Sequence, residues 1–228
     1  MKSLNNTLNN TFTGFTKELL DFLFALRFEN TIEKQTENQK RYKLLISEPL
    51  KQLYETLLSV VVDINATLET KPSRCISSPY TDRRFSTAMP LKEYMYIRFK
   101  QNNKGNDIAG LYFDMGMDYY SYGLRIYKQT SAGMQTFRDK VIEKPKPYLK
   151  ELEKISAQGF SIIGDSFKKD HYPDLPQNIL KEILNRKCFY IGKDVPVTDK
   201  IFTPELAEEI ANGFIAMSDL LKLLTLEE

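Results

Sequence analysis

Seven basic residues fall between positions 71 and 100: Lys71, Arg74, Arg83, Arg84, Lys92, Arg98 and Lys100. Only Asp82 and Glu93 oppose them, so this stretch carries a charge of +5, seven minus two. An aspartate beside two arginines, as in Asp82-Arg83-Arg84, can hold a guanidinium so that its fork meets a phosphate or carboxylate through two parallel bonds. Lys92, Tyr94 and Arg98 follow at even spacing and share one face of a strand with Tyr96. A basic, aromatic face of this kind holds an anionic ring ligand or stacks bases. The expected chemistry is binding of a small anionic ligand through residues 78–100, with Asp82, Arg83, Arg84, Lys92, Tyr94 and Arg98 as contacts. The plainer expectation is a surface ion pair at Asp82 and tyrosines packed beneath a helix.

A second segment, residues 164–173, brings Lys168, Lys169, Asp170 and His171 together in sequence. Lys168 and Lys169 are expected as further anion contacts. Adjacent residues rarely orient each other's rings, so Asp170 and His171 do not form a dyad by sequence. No catalytic set is assigned. If the protein is an enzyme acting on phosphorylated or nucleic-acid substrates, Tyr80, Asp82 and His171 are the side chains to test for proton transfer. The single histidine excludes a metal site built on several histidines, and Cys75 and Cys188 lie too far apart for a zinc spacing. No dinucleotide, P-loop or nucleophile-elbow motif is present. No metal and no cofactor are expected.

These residues need a scaffold, and hydrophobic period supplies one. Phe15, Leu19, Phe22, Leu23 and Leu26 fit one helix, a polar helix runs over about 33–46, and Ser47 with Pro49 reads as the start of a third. Leu50, Leu53, Tyr54, Leu57, Leu58, Val61, Val62 and Ile64 are expected to line the core side of that helix. Residues 71–90 read as a long loop with a short strand near 74–77. Alternation over 91–100, then strands at 108–115 and 117–127, make an antiparallel meander, with a turn at 102–107. Ser131 reads as a cap, Pro145 and Pro147 as a break, and helices follow near 148–158, 176–185 and from Thr203-Pro204 onward. Residues 160–163 and 188–192 read as two stray strands. The fold class is therefore α+β: an antiparallel sheet, meander plus short extra strands, packed against N- and C-terminal helices. One domain over 1–228 is expected, with residues 1–12 poorly ordered.

Seven of the thirteen tyrosines fall between Tyr94 and Tyr127, which predicts one amphipathic sheet face. That face supports a third reading, a protein-interaction module or homodimer. The net charge is +2, which gives no general pull on nucleic acid or an anionic membrane. The N-terminal ten residues lack the apolar run of a signal peptide, and no apolar stretch approaches the ~20 residues that span a bilayer. A cytoplasmic protein with reduced thiols is expected.

Several positions resemble the DUF2461 family, bacterial proteins of unknown function. Asp82-x-Arg84-Phe85-Ser86, with Pro90 and Lys92, resembles its signature. Asn30 and Tyr42 match the spacing of its Asn-Asn…Trp-Phe…Lys…Tyr segment. Gly123 to Phe137-Arg138 resembles its glycine–aromatic strand and following helix, and Gly164-x-x-Phe167-Lys168-Lys169 its late glycine segment. This chain has Lys34-Gln35 in place of Trp-Phe, and Ser78, Thr81 and Met89 where the family carries cations. The resemblance implies an α+β domain and a site with fewer cations, and it implies no reaction.

Overall fold

The computed structural model describes residues 11–82, 84, 90–101, 109–126 and 130–225. Helix α1 (Glu18–Glu29) and helix α2 (Gln35–Tyr42) lead into a π turn (Lys43–Ser47) and then the long α3 (Glu48–Ile64). A one-turn helix α4 (Pro72–Cys75) precedes the strands β1 (Met95–Lys100), β2 (Ala109–Met115) and β3 (Tyr119–Ile126). Helices α5 (Ser131–Glu143) and α6 (Pro145–Ala157), strand β4 (Ser161–Ile163), helix α7 (Ile179–Leu184), strand β5 (Tyr190–Pro196) and helix α8 (Glu205–Thr225) complete the order. The fold is α+β.

All five strands form one antiparallel sheet in the order β1-β2-β3-β5-β4. The meander is as its alternation predicts. The two strands that read as stray join it: β5 pairs with β3 and β4 closes the far edge. Register decides which side chains share a face. Met95, Ile97 and Phe99 of β1 stand beside Met115, Phe113 and Leu111 of β2, and these beside Tyr120, Tyr122 and Leu124 of β3. All are buried, against α3 and α8. Phe99 stacks on Tyr54 of α3 at 5.6 Å and meets the edge of Phe214 of α8 at 6.2 Å. Gly213 of α8 makes the close approach possible, because a methyl there would lie 2.3 Å from the Tyr122 ring. The opposite face carries Tyr96, Arg98, Tyr112, Asp114, Ser121, Arg125, Tyr190 and Asp194.

Local expectations need correcting in five places. Ser47 does not cap α3: it lies in helical conformation with no side-chain cap bond, and the chain runs through a π turn instead. Glu48 N–H donates to the Lys43 carbonyl five residues back, so the ladder slips by one residue just before Pro49, which has no N–H to offer. Residues 72–75 form a helical turn rather than a strand, and only Ile76 bridges to Ile97. Thr130, not Ser131, caps α5, its Oγ1 accepting from Gly133 N–H at 3.1 Å. Pro145 and Pro147 separate α5 from α6 as expected, but they lie inside the first turn of α6, which starts at Pro145 rather than 148, since a first helical turn needs no N–H donors. Phe12, expected in a loose terminus, is wholly buried, with its N–H on Thr56 Oγ1. The turn at 102–107 and residues 1–10 lie outside the described residues.

Candidate functional site

The segment between α4 and β1 folds back along the first strand. Ser77 N–H donates to the Tyr96 carbonyl at 2.9 Å, and Tyr96 N–H returns to Ser77 Oγ at 3.1 Å. Thr81 N–H then bonds the Pro90 carbonyl at 3.1 Å and Lys92 N–H the Pro79 carbonyl at 2.8 Å. Asn30, at the end of α1, locks the base of this return. Its Nδ2 donates to the Leu91 carbonyl at 2.7 Å, and its Oδ1 accepts from Leu91 N–H at 3.1 Å.

Asp82 and Arg84 stand at the outer end. The Arg84 backbone N–H and Nε both donate to Asp82 Oδ1 at 3.0 Å, and Nη2 meets Oδ2 at 2.5 Å. Arg84, and more weakly the charge of Lys92, hold the Asp82 carboxyl below its ordinary range. Lys92, at the base, lies over the Tyr96 ring at 5.4 Å, and Arg98 lies over the same ring at 3.9 Å. Burial, and next the charge of Arg98, push the Lys92 ammonium below its ordinary value. Tyr94 precedes β1 and stacks on Tyr96 at 6.4 Å.

The charge relay continues across the sheet. Asp114 on β2 lies between Arg98 at 3.6 Å and Arg125 at 3.4 Å, and Arg125 lies over the Tyr190 ring at 5.8 Å. Burial pushes the Asp114 carboxyl above its ordinary value, and the two arginines pull it back. Arg98 Nε and Asp114 Oδ1 are buried without a hydrogen-bond partner among the described residues. Beyond them a cleft of about 510 Å³ is lined by Tyr112, Asp114, Tyr119, Arg125, Tyr190 and Asp194, among others. Tyr112 forms its floor: the chain pairs Tyr112 with Gly123 and Gly123 with Gly192, so nothing blocks the ring as it reaches across β3. Its hydroxyl bonds Ser121 Oγ at 2.8 Å.

The structure thus brings Asp82, Arg84, Lys92, Tyr94 and Arg98 to one edge of the sheet; Arg83 lies outside the described residues. Lys168 and Lys169 are exposed on the segment after β4, at the opposite edge of the sheet. His171 is exposed, its ring 4.3 Å from Phe167, and its neighbour Asp170 is turned to Lys181 Nζ at 2.8 Å and Asn185 Nδ2 at 2.9 Å. No dyad forms there. Tyr80 is half exposed and lines a second cleft, against the π turn. The tyrosines do not make one face. Tyr120 and Tyr122 enter the core and bond Glu209 of α8, whereas Tyr96 and Tyr112 lie on the polar side. Asp114, Arg125, Tyr112 and Tyr190 escaped the sequence reading. Parity places Tyr112 and Asp114 on the face of Arg98, but only the pairing of β3 with β5 brings in Tyr190.

A family model described as "Conserved hypothetical protein (DUF2461)" matches residues 18–222. The chain belongs to the DUF2461 family. No curated protein matches it. In this DUF2461 chain the positions that resemble the family pattern divide by role. Asn30, Tyr42, Asp82, Arg84, Pro90 and Lys92 gather around the returning segment. Arg138 and Gly164 instead hold the scaffold: Arg138 Nε and Nη2 donate to the Leu184 and Arg186 carbonyls, and a methyl on Gly164 would meet the Cys188 carbonyl oxygen at 2.2 Å.

Proposed function

We propose that this DUF2461 chain binds a small anionic ligand at the β1 edge of its sheet, through Lys92 and Arg98, with the Asp82–Arg84 pair beside them. The observation that carries this reading is the convergence of two cations on one tyrosine ring. Holding Lys92 and Arg98 together is electrostatically unfavourable, and an anion relieves it. Arg84 contributes less, because Asp82 already occupies its fork. The proposed setting is the bacterial cytoplasm. Both cysteines are free thiols, and no helix among the described residues is long and apolar enough to cross a membrane.

A second reading, an enzyme, is favoured by one observation. Asp114 is a partly buried carboxyl at the mouth of a cleft, raised above its ordinary value by burial, the arrangement that suits a proton-transfer group. It would replace Tyr80, Asp82 and His171 as the proton-transfer candidate.

Calorimetry with citrate and inorganic phosphate tests the first reading. Lys92→Ala should weaken binding by about tenfold to a hundredfold, the worth of one charged hydrogen bond. Arg84→Ala should weaken it less. Affinity should also fall with rising pH earlier than an ordinary lysine would discharge, because burial and Arg98 lower the Lys92 pKa. Unchanged affinity in Lys92→Ala rules the site out.

A further inference from the structure

The second cleft lies between the α2–π-turn segment and the returning loop, where Pro79, Tyr80 and Leu91 line it and Lys92 and Arg98 do not, and it encloses about 390 Å³. Gln39, Lys40, Tyr42, Lys43 and Ser47 line its helical wall, and Tyr80 stands opposite. Positions 36, 39 or 40, 43 and 47 recur at spacings of three and four, so they fall on one side of the helical segment. The wall contains no acid. Lys43 is 3.9 Å from Glu48, too far for a hydrogen bond, and Lys40 has no acidic partner among the described residues.

Tyr42 makes this wall unusual. The residue is 2% exposed, its ring held edge-on by Phe22 at 6.2 Å. Its hydroxyl is buried with no hydrogen-bond partner among the described residues. Buried tyrosines nearly always place that hydroxyl on an acceptor. Burial pushes the phenol far above its ordinary value, so the group is a neutral donor at every physiological pH. An unused donor, two lysines and neutral amide and hydroxyl groups together select an acceptor-rich anion.

We propose that the cleft beside the π turn is an oxyanion site, in which the Tyr42 hydroxyl donates to a phosphoryl or carboxylate oxygen of a small molecule and Lys40 and Lys43 balance its charge. The π turn serves the site directly. The slip in the helical ladder falls at Lys43–Ser47, and Lys43 and Ser47 line the cleft together with Tyr42; such turns recur at functional sites. The site stands whether or not Lys92 and Arg98 hold an anion of their own.

The test uses the full chain in a chloride buffer free of other oxyanions, with pyrophosphate, inorganic phosphate and citrate as probes. The first readout is the melting temperature without probe. Tyr42→Phe removes a donor that has no acceptor, so the variant should melt at the same temperature as the wild type or higher. A lower melting temperature means that the hydroxyl already has a partner in the folded protein, and overturns the proposal. The second readout is affinity. Measured in a Lys92→Ala background, where the sheet-edge site does not contribute, Tyr42→Phe and the Lys40→Ala/Lys43→Ala pair should each weaken binding of the best probe by about tenfold or more. Pyrophosphate preferred over citrate names a phosphoryl group; the reverse names a carboxylate. Binding in that background left unchanged by Tyr42→Phe overturns this site, while the sheet-edge reading stands or falls by the loss that Lys92→Ala alone causes. No binding of any probe in the millimolar range overturns the Tyr42 site as well.

Discussion

Asn30 closes both hydrogen bonds that the Leu91 peptide can make, across 61 residues of sequence. One side chain therefore fixes the returning segment that carries Asp82, Tyr80 and Lys92. Asn30→Ala leaves a buried N–H and a buried carbonyl unpaired. It should cost about 2–4 kcal/mol in urea unfolding, two unsatisfied groups at the usual penalty. A loss under about 0.5 kcal/mol would mean that water or a shifted loop replaces the asparagine. Cys75 is a second residue-scale case. Its thiol is buried, donates to the Glu69 carbonyl at 3.0 Å, and is pushed up to about 12 by burial. It should resist alkylation at pH 8 in the folded protein, while Cys188 reacts first; rapid labelling of Cys75 would contradict that burial.

At the scale of elements, the polar side of the sheet depends on glycines aligned across strands. Gly123 and Gly192 stand next to each other in register, with Tyr112 alongside. A methyl on Gly192 would lie 2.1 Å from the Tyr112 hydroxyl, and one on Gly123, at φ +154°, would strike the Ile191 carbonyl oxygen at 2.2 Å. These residues keep the cleft floor flat, and the tyrosine fills the space they leave. Gly192→Ala should destabilise by about 1–3 kcal/mol through overpacking. Tyr112→Phe removes the clashing oxygen, so the double variant should lose less than the sum of the single losses, with a coupling of about 0.5 kcal/mol or more. Strict additivity in a double-mutant cycle would show that Tyr112 moves aside on its own.

For the whole molecule, the clearest expectation is a loss of stability at alkaline pH. Burial pushes Tyr54 up to about 12, and Tyr42, Tyr112, Tyr120 and Tyr122 higher still. Above pH about 10 the unfolded chain releases phenolic protons that the folded chain keeps. The unfolded state then binds fewer protons, so stability falls as pH rises, and each loss ends at that group's folded pKa. Each such tyrosine removes roughly 1.4 kcal/mol per pH unit in that window. Urea midpoints at pH 8, 10 and 11 should therefore decline, and the tyrosinate absorbance of the buried rings should appear only with unfolding. Tyrosinate forming fully while the chain stays folded would show these rings to be open to solvent.

The sequence by itself determined the elements and much of the sheet. Alternation in β1 separates Met95, Ile97 and Phe99 from Tyr96 and Arg98, and period 3.6 marks the core sides of α3 and α8, because both signals are local and repeat. It also drew attention to Asp82, Arg84 and Lys92, whose types and order are visible without a fold. Only the tertiary structure decided which of these groups meet. Lys168 and Lys169 are as basic in sequence as Lys92, yet β4 and β1 are opposite edges of the sheet, and strand order is not written in local pattern. Asp114 is paired with two arginines only because Arg98 and Arg125 arrive on neighbouring strands. Tyr42 appears in the sequence only as a position of the family pattern; that its buried hydroxyl has no partner among the described residues depends on contacts between distant segments.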